Sequence, residues 1–174
     1  NTAYQQFAGG TSPIYLNTGM NALFMVGIND LFENYRITGG FRLSFDMSGK
    51  EFMLGYEDLS KRVDHQIVVY RQSLKKSVDY YMFKQQSNSF FYIAKIPFNK
   101  FHALRFTLTG RLENLIVSAL DDVSLKAPNQ YSLWTGAKME YVFDSSKELA
   151  TNLWHGSKLK IFAEYNQKIA KQHD

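Results

Sequence analysis

The stretch Tyr35–Asp46, YRITGGFRLSFD, decides how the chain is to be read. Every second residue gives Tyr35, Ile37, Gly39, Phe41, Leu43 and Phe45. Between them stand Arg36, Thr38, Gly40, Arg42, Ser44 and Asp46. A period of two belongs to an extended strand, whose side chains alternate between faces, so one face is oily and the other wet. The oily face must then pack into a protein core or meet a lipid bilayer.

The same period recurs along the chain. EFMLGYED (51–58) puts Phe52, Leu54 and Tyr56 on one side, and VDHQIVVYRQ (63–72) sets Val63, Ile67 and Val69 against Asp64 and Gln66. FHALRFTLTGRL (101–112) aligns Leu104, Phe106, Leu108 and Leu112 against Arg105, Thr107, Thr109 and Arg111. YSLWTGAKMEYVFD (131–144) and KLKIFAEYNQKI (158–169) repeat the scheme, while MNALFMVGIND (20–30) is apolar on both faces in part. Reversals are expected near 30–34, 47–50, 59–62, 97–100, 121–130 and 145–156. DLFENY and KELATNLW read as helical turns. The expectation is an all-β fold of roughly eight to ten antiparallel strands, without a long helix. It is an up-and-down transmembrane β-barrel over residues 1–174, as a single barrel domain or as a segment of a larger barrel.

Composition narrows the chemistry. With no cysteine, the chain has no disulfide framework, no thiolate and no Cys-based metal site. A net charge of +4 makes no case for nucleic acid. No apolar run approaches the roughly 18 residues of a spanning helix, which excludes helical spans only. A spanning strand needs about 9–11 residues, and its alternation hides it from hydropathy scans.

Three features favour the barrel over a soluble sandwich. The wet faces carry charged residues in mid-strand: Arg36, Arg42, Arg105, Arg111, Lys138, Glu140, Lys160 and Glu164. Several strands look about twice the usual five to six residues. Glycines interrupt strand interiors, as a strongly curved sheet allows: Gly27, Gly39, Gly40, Gly55, Gly110 and Gly136. The eight charges are therefore expected to face the lumen, where Glu140, Glu164 and Asp46 pair with the cations and fill it. Tyrosine and tryptophan near strand ends would form interface girdles, with Tyr35, Tyr56, Tyr70, Tyr131, Tyr141, Trp154 and Tyr165 the main candidates; Tyr15 and Tyr92 are further ones. The alternative is a soluble β-barrel or sandwich that binds an apolar ligand or a protein partner.

Two stretches carry a resemblance. Residues 27–74, with Asn29-Asp30, the run Tyr35-Arg36-Ile37-Thr38-Gly39-Gly40, Arg62-Val63-Asp64 and Tyr70-Arg71-Gln72, resemble the barrel-forming region of large envelope proteins of Gram-negative bacteria. In those proteins a Tol-type β-propeller precedes a membrane domain. Residues 96–106 and 136–167 look like the outer-membrane surface-antigen and insertase superfamily. There a strand ending in Asp leads through a loop to a glycine and another strand, here Tyr141-Val142-Phe143-Asp144, then Gly156, then Lys158 to Tyr165. LSFDMSGKEFMLGYED (43–58) also resembles one blade of a Tol-type propeller, a unit that appears once here. The resemblance implies a transmembrane barrel in the outer membrane of a Gram-negative bacterium. Such a barrel is a membrane anchor or an assembly and transport component of the cell envelope. Its partners would be the lipid bilayer, other envelope proteins or a propeller domain of the same polypeptide. Outer-membrane barrels commonly finish on a strand ending in an aromatic residue. This chain starts at Asn1 without Met and finishes KIAKQHD, which reads as a processed chain or a fragment.

Catalytic signatures are missing. His65, His102, His155 and His173 have no local partners at metal-ligand spacing. Asp64 and His65 are adjacent on a strand and point to opposite faces. Asp121-Asp122 could help hold calcium in a surface loop, though a solvated loop explains them better. The chain is read as no enzyme, with no catalytic residue, no metal site and no cofactor.

Overall fold

The computed structural model describes residues 21–45, 48–78, 81–119, 130–150 and 153–173. Side chains within these segments are described except at 21, 76–78, 81–82, 117–119, 147–150, 153–154 and 171–173. Ten strands follow in chain order: β1 (Asn21–Asn29), β2 (Tyr35–Ser44), β3 (Gly49–Asp58), β4 (Asp64–Val78), β5 (Tyr81–Pro97), β6 (His102–Ala119), β7 (Gln130–Asp144), β8 (Lys147–Ala150), β9 (Leu153–His155) and β10 (Lys158–His173). Eight form one antiparallel sheet in the order β1-β2-β3-β4-β5-β6-β7-β10, and β8 and β9 make a small hairpin of their own. Each sheet strand pairs with its predecessor, apart from the hairpin that interrupts the step from β7 to β10. The architecture is therefore all-β and up-and-down, and no helix occurs among the described residues.

Three expectations are corrected. The sheet is open: β1 and β10 are its edges, so these strands alone do not close the expected ring. Closure would need backbone hydrogen bonds between those two strands, and β10 is exposed at every described side chain from Lys158 to Ala170. DLFENY forms a tight turn rather than a helical one, with Glu33 N–H donating to the Asp30 carbonyl (2.9 Å) and Glu33 at φ 55°. KELA and LWH are strands, because pairing β8 with β9 satisfies backbone groups that a single helical turn would leave open.

The long strands run from 15 to 18 residues in β4 to β7 and β10. Strand β5 escaped the alternation test because its middle, QQSNS, is polar on both faces. The turns at one end, called here the lower end, are fixed by short polar side chains that accept backbone N–H groups. Asp58 Oδ1 takes Ser60 N–H (3.0 Å), and Asn99 Oδ1 takes those of Phe101 and His102 (2.8 Å each). Asp144 Oδ1 takes Ser146 N–H (3.0 Å). Gly156, at φ 128°, then turns the chain into β10, where a Cβ would stand 2.5 Å from the Ser145 carbonyl oxygen. The Asp–loop–glycine–strand order thus holds, with β8 and β9 inserted.

Register places every residue on one of two faces. One cross-strand row runs Ile28, Ile37, Tyr56, Ile67, Tyr92, Leu108, Ala137, Tyr165 over all eight strands. Its opposite-face neighbour runs Asn29, Arg36, Glu57, Gln66, Ile93, Thr107, Lys138, Glu164. In β3 the burial alternates from Gly49 to Tyr56, and the residues carrying Glu51, Met53 and Gly55 are the buried ones. A single sheet buries one face by curling towards it, so the polar face is the inner one. Among the described residues, the buried apolar ones are Met53, Val68 and Ile93. Met25, Tyr70 and Phe91 pack against Met53 and Val68 on that same face. Gly40 lies between Met25 and Met53 in register, and its missing side chain leaves Met25 room to reach them.

Candidate functional site

The inner face is ionic. All eight charged residues singled out in the sequence lie on it by register: Arg36 and Arg42 on β2, Arg105 and Arg111 on β6, Lys138 and Glu140 on β7, Lys160 and Glu164 on β10. The pairs are short-range, most of them across neighbouring strands and two, Arg111–Glu113 and Lys138–Glu140, along one strand. Arg36 meets Glu57 at 3.6 Å, Arg42 meets Glu51 at 3.5 Å, and Gln72 Nε2 donates to the other Glu51 oxygen at 3.0 Å. Lys95 meets Asp64 and Arg111 meets Glu113, each at 3.2 Å.

Glu140 is the centre of this face. Lys160 approaches its carboxylate at 2.5 Å, Lys138 at 3.1 Å and Arg105 at 3.7 Å, while its side chain keeps 5% of its surface. Three cations on three strands thus converge on one buried carboxylate, the arrangement a buried charge requires to stay ionised. Lys138 also lies 3.9 Å from Glu164 and sits 5.0 Å from the Phe162 ring. Trp134 is held between Arg111 and Lys168, 5.6 and 5.3 Å from its ring centre, and both contacts are cation–π in type. Trp134 and Phe162 were missed in the sequence. The signal was present, since both share the even-numbered register of Lys138, Glu140 and Glu164.

The outer face is the reverse. Phe24, Val26 and Ile28, Ile37 and Phe41, Phe52 and Leu54, Phe106 and Leu108, and Leu159 and Ile161 are all exposed. Among the interface candidates, Tyr35, Tyr56, Tyr131, Tyr141 and Tyr165 stand on this face. Tyr70 does not: it faces inward, opposite Met53 and Ser89, so it belongs to the inner packing. The side chain of Trp154 lies outside the described ones, and Tyr15, Asp46, Asp121 and Asp122 lie outside the described residues. The apolar band is narrowest on β4, where His65 and Arg71 bound Ile67 and Val69.

Two hydrogen bonds repeat at the lower rim of this face. His65 Nδ1 lies 2.8 Å from Tyr92 Oη, and His102 Nδ1 lies 2.5 Å from Tyr141 Oη. Each histidine opens an upward strand, β4 or β6, and each tyrosine belongs to the next strand. The partners are 27 and 39 residues apart, beyond any local spacing rule. In the turn just below, the Ser60 hydroxyl and then its N–H hold the Asp58 carboxyl under the usual carboxylate range, helped by Lys61 and His65.

No group of three or more His, Asp or Glu among the described residues is placed to hold a metal ion. What the arrangement offers is a wall with a sheltered, ion-paired side and an open apolar side. Compared with family models, curated proteins and solved structures, the chain matches none.

Proposed function

We propose that this chain forms wall of a β-barrel in the outer membrane of a Gram-negative bacterium. There it acts as a membrane anchor or as an assembly and transport component of the envelope rather than as a catalyst. One observation carries the reading: burial is inverted. Charged and polar side chains share the sheltered face with a small apolar cluster around Met53 and Val68, and most of the aliphatic and aromatic ones stand open on the other, which in water would leave a large apolar surface unpaid by any contact. In hydrocarbon the same surface is the favourable one, and hairpin pairing leaves few backbone groups unbonded. The free edges of β1 and β10 are where the wall would be completed, by each other or by further strands.

The absence of cysteine makes a clean test, because one introduced cysteine is the only thiol to label. Leu108→Cys and Thr107→Cys sit side by side on β6 and face opposite ways. Each carries an environment-sensitive fluorophore after refolding into phosphatidylcholine vesicles. The Leu108 label is expected to shift to the blue and be quenched by lipid-borne quenchers, and the Thr107 label by aqueous ones. A Leu108 label quenched from water, on a protein that stays dispersed without detergent, overturns the reading. That result favours a soluble sheet whose apolar face takes an apolar ligand or a protein partner.

A further inference from the structure

At the upper end, away from the His–Tyr pairs, the apolar skin of the outer face gives way to a group of cations. Lys50 on β3, Arg71 and Lys75 on β4, and Lys84 on β5 surround a pocket of about 350 Å³ whose apolar lining is Phe41 and Phe52. Phe41 pairs with Phe52, and Phe52 pairs in turn with Arg71, so the guanidinium stands directly beside the last aromatic pair. Lys75 and Lys84 are direct cross-strand partners. Like charges set opposite each other destabilise a strand pair. Among the described residues no carboxylate forms an ion pair with any of the four; the nearest acid in the lining, Glu51, gives its carboxylate to Arg42 and Gln72 on the inner face. In contrast with the inner face, where cations are ion-paired with neighbours, the described residues leave this pocket with four cations and no ion-paired carboxylate at the edge of the apolar band.

We propose that this pocket binds the headgroup of a membrane lipid bearing more than one phosphate. Its acyl chains would lie along Phe41, Phe52 and the apolar band below them. The chemistry is complementary in both parts: an arginine presents paired donors to phosphate oxygens, lysines add point charge, and the aromatic floor takes hydrocarbon. The proposal deepens the membrane reading and rests on it.

The test uses the full chain refolded into phosphatidylcholine vesicles containing a minor fraction of diphosphoryl lipid A. Bound lipid is read by native mass spectrometry after gentle extraction, and insertion is read in parallel by the Leu108 label. Arg71→Gln/Lys75→Gln/Lys84→Gln is expected to retain the bisphosphorylated lipid roughly a hundredfold less well, as removal of three basic residues from a membrane surface predicts. A control variant, Lys61→Gln/Arg62→Gln/Lys100→Gln at the lower end, is expected to retain it as the parent does. Equal retention by parent and triple variant, both inserted, overturns this inference and leaves the membrane reading intact. Displacement of the lipid by millimolar inorganic phosphate also overturns it, since the pocket would then be a general anion site. A chain that fails to insert sinks both readings together.

Discussion

Arg42 and Glu51 face each other across the β2–β3 ladder, Nη1 to Oε2 3.5 Å apart, with 11% and 8% of their side-chain surface exposed. The adjacent pair on the same two strands, Phe41 and Phe52, is 41% and 46% exposed. One step along a strand exchanges a sheltered ion pair for an open aromatic pair. The consequences of that inversion can be measured.

Removing one member of a sheltered pair takes an ion-pair partner from the other. Glu51→Ala leaves Arg42 without its carboxylate and Gln72 without its acceptor, and a loss of about 3–5 kcal/mol is expected if the inner face is dry. Glu51→Gln keeps a group for Gln72 and should cost less. Urea unfolding in vesicles, followed by Trp fluorescence, distinguishes the two. Equal and negligible losses would mean that water already screens this face.

Leu108 lies in the middle of the β6 apolar run, and Asn114 lies past its upper end. In a bilayer, Leu108→Arg is expected to cost about 2–4 kcal/mol and Asn114→Arg about 0–1. In a soluble sheet no dependence on depth is expected, so Leu108→Arg should not cost more than Asn114→Arg. The difference between their unfolding free energies is the readout.

Glu140 is the shared ion-pair partner of three cations, so its loss should be felt beyond one contact. Glu140→Ala is expected to destabilise strongly, and Lys160→Met in that background to recover part of the loss. A coupling of about 0.5–3 kcal/mol between the two positions is the range for residues in one ionic network. A double-mutant cycle on unfolding free energies measures it, and strict additivity would remove Glu140 from the centre of the network.

Two glycines should respond oppositely to a methyl group. A Cβ on Gly136 would meet Asn166 Oδ1 and, 3.3 Å away, the Tyr165 carbonyl oxygen, whereas one on Gly110 has nothing within 4 Å. Gly136→Ala is expected to weaken the β7–β10 pairing by about 1–3 kcal/mol, the range for overpacked sites. Gly110→Ala should be neutral or slightly stabilising through reduced freedom of the unfolded chain. Hydrogen exchange of β10 amides shows whether the Gly136 effect is local.

Removing the tyrosine hydroxyls tests the lower rim. Tyr92→Phe and Tyr141→Phe each delete one partner of a histidine and are expected to cost about 0.5–1.5 kcal/mol, with additive effects because the pairs lie on separate strand pairs. Unfolding of both single variants and the double variant checks this.

The alternation in Tyr35–Asp46 was enough to assign Arg36 and Arg42 to one side of a strand and Ile37 and Phe41 to the other. It could do so because the direction of successive side chains in an extended chain is set by covalent geometry, within a few residues. The same rule grouped Lys138 with Glu140 and Lys160 with Glu164, and it would have placed Trp134 with them. It failed at β5, where polar residues on both faces erase the period; at Tyr70 the same parity, shared with Asp64 and Gln66, pointed inward, and the girdle expectation rested on residue type alone. Tertiary structure decided what depends on other strands: that the charged face is the sheltered one, that Arg105, Lys138 and Lys160 meet at Glu140, that histidines reach tyrosines on the next strand, and that β1 and β10 stay apart. Those outcomes follow from sheet curvature and from register between segments far apart in the chain, and no local pattern of residues encodes either one.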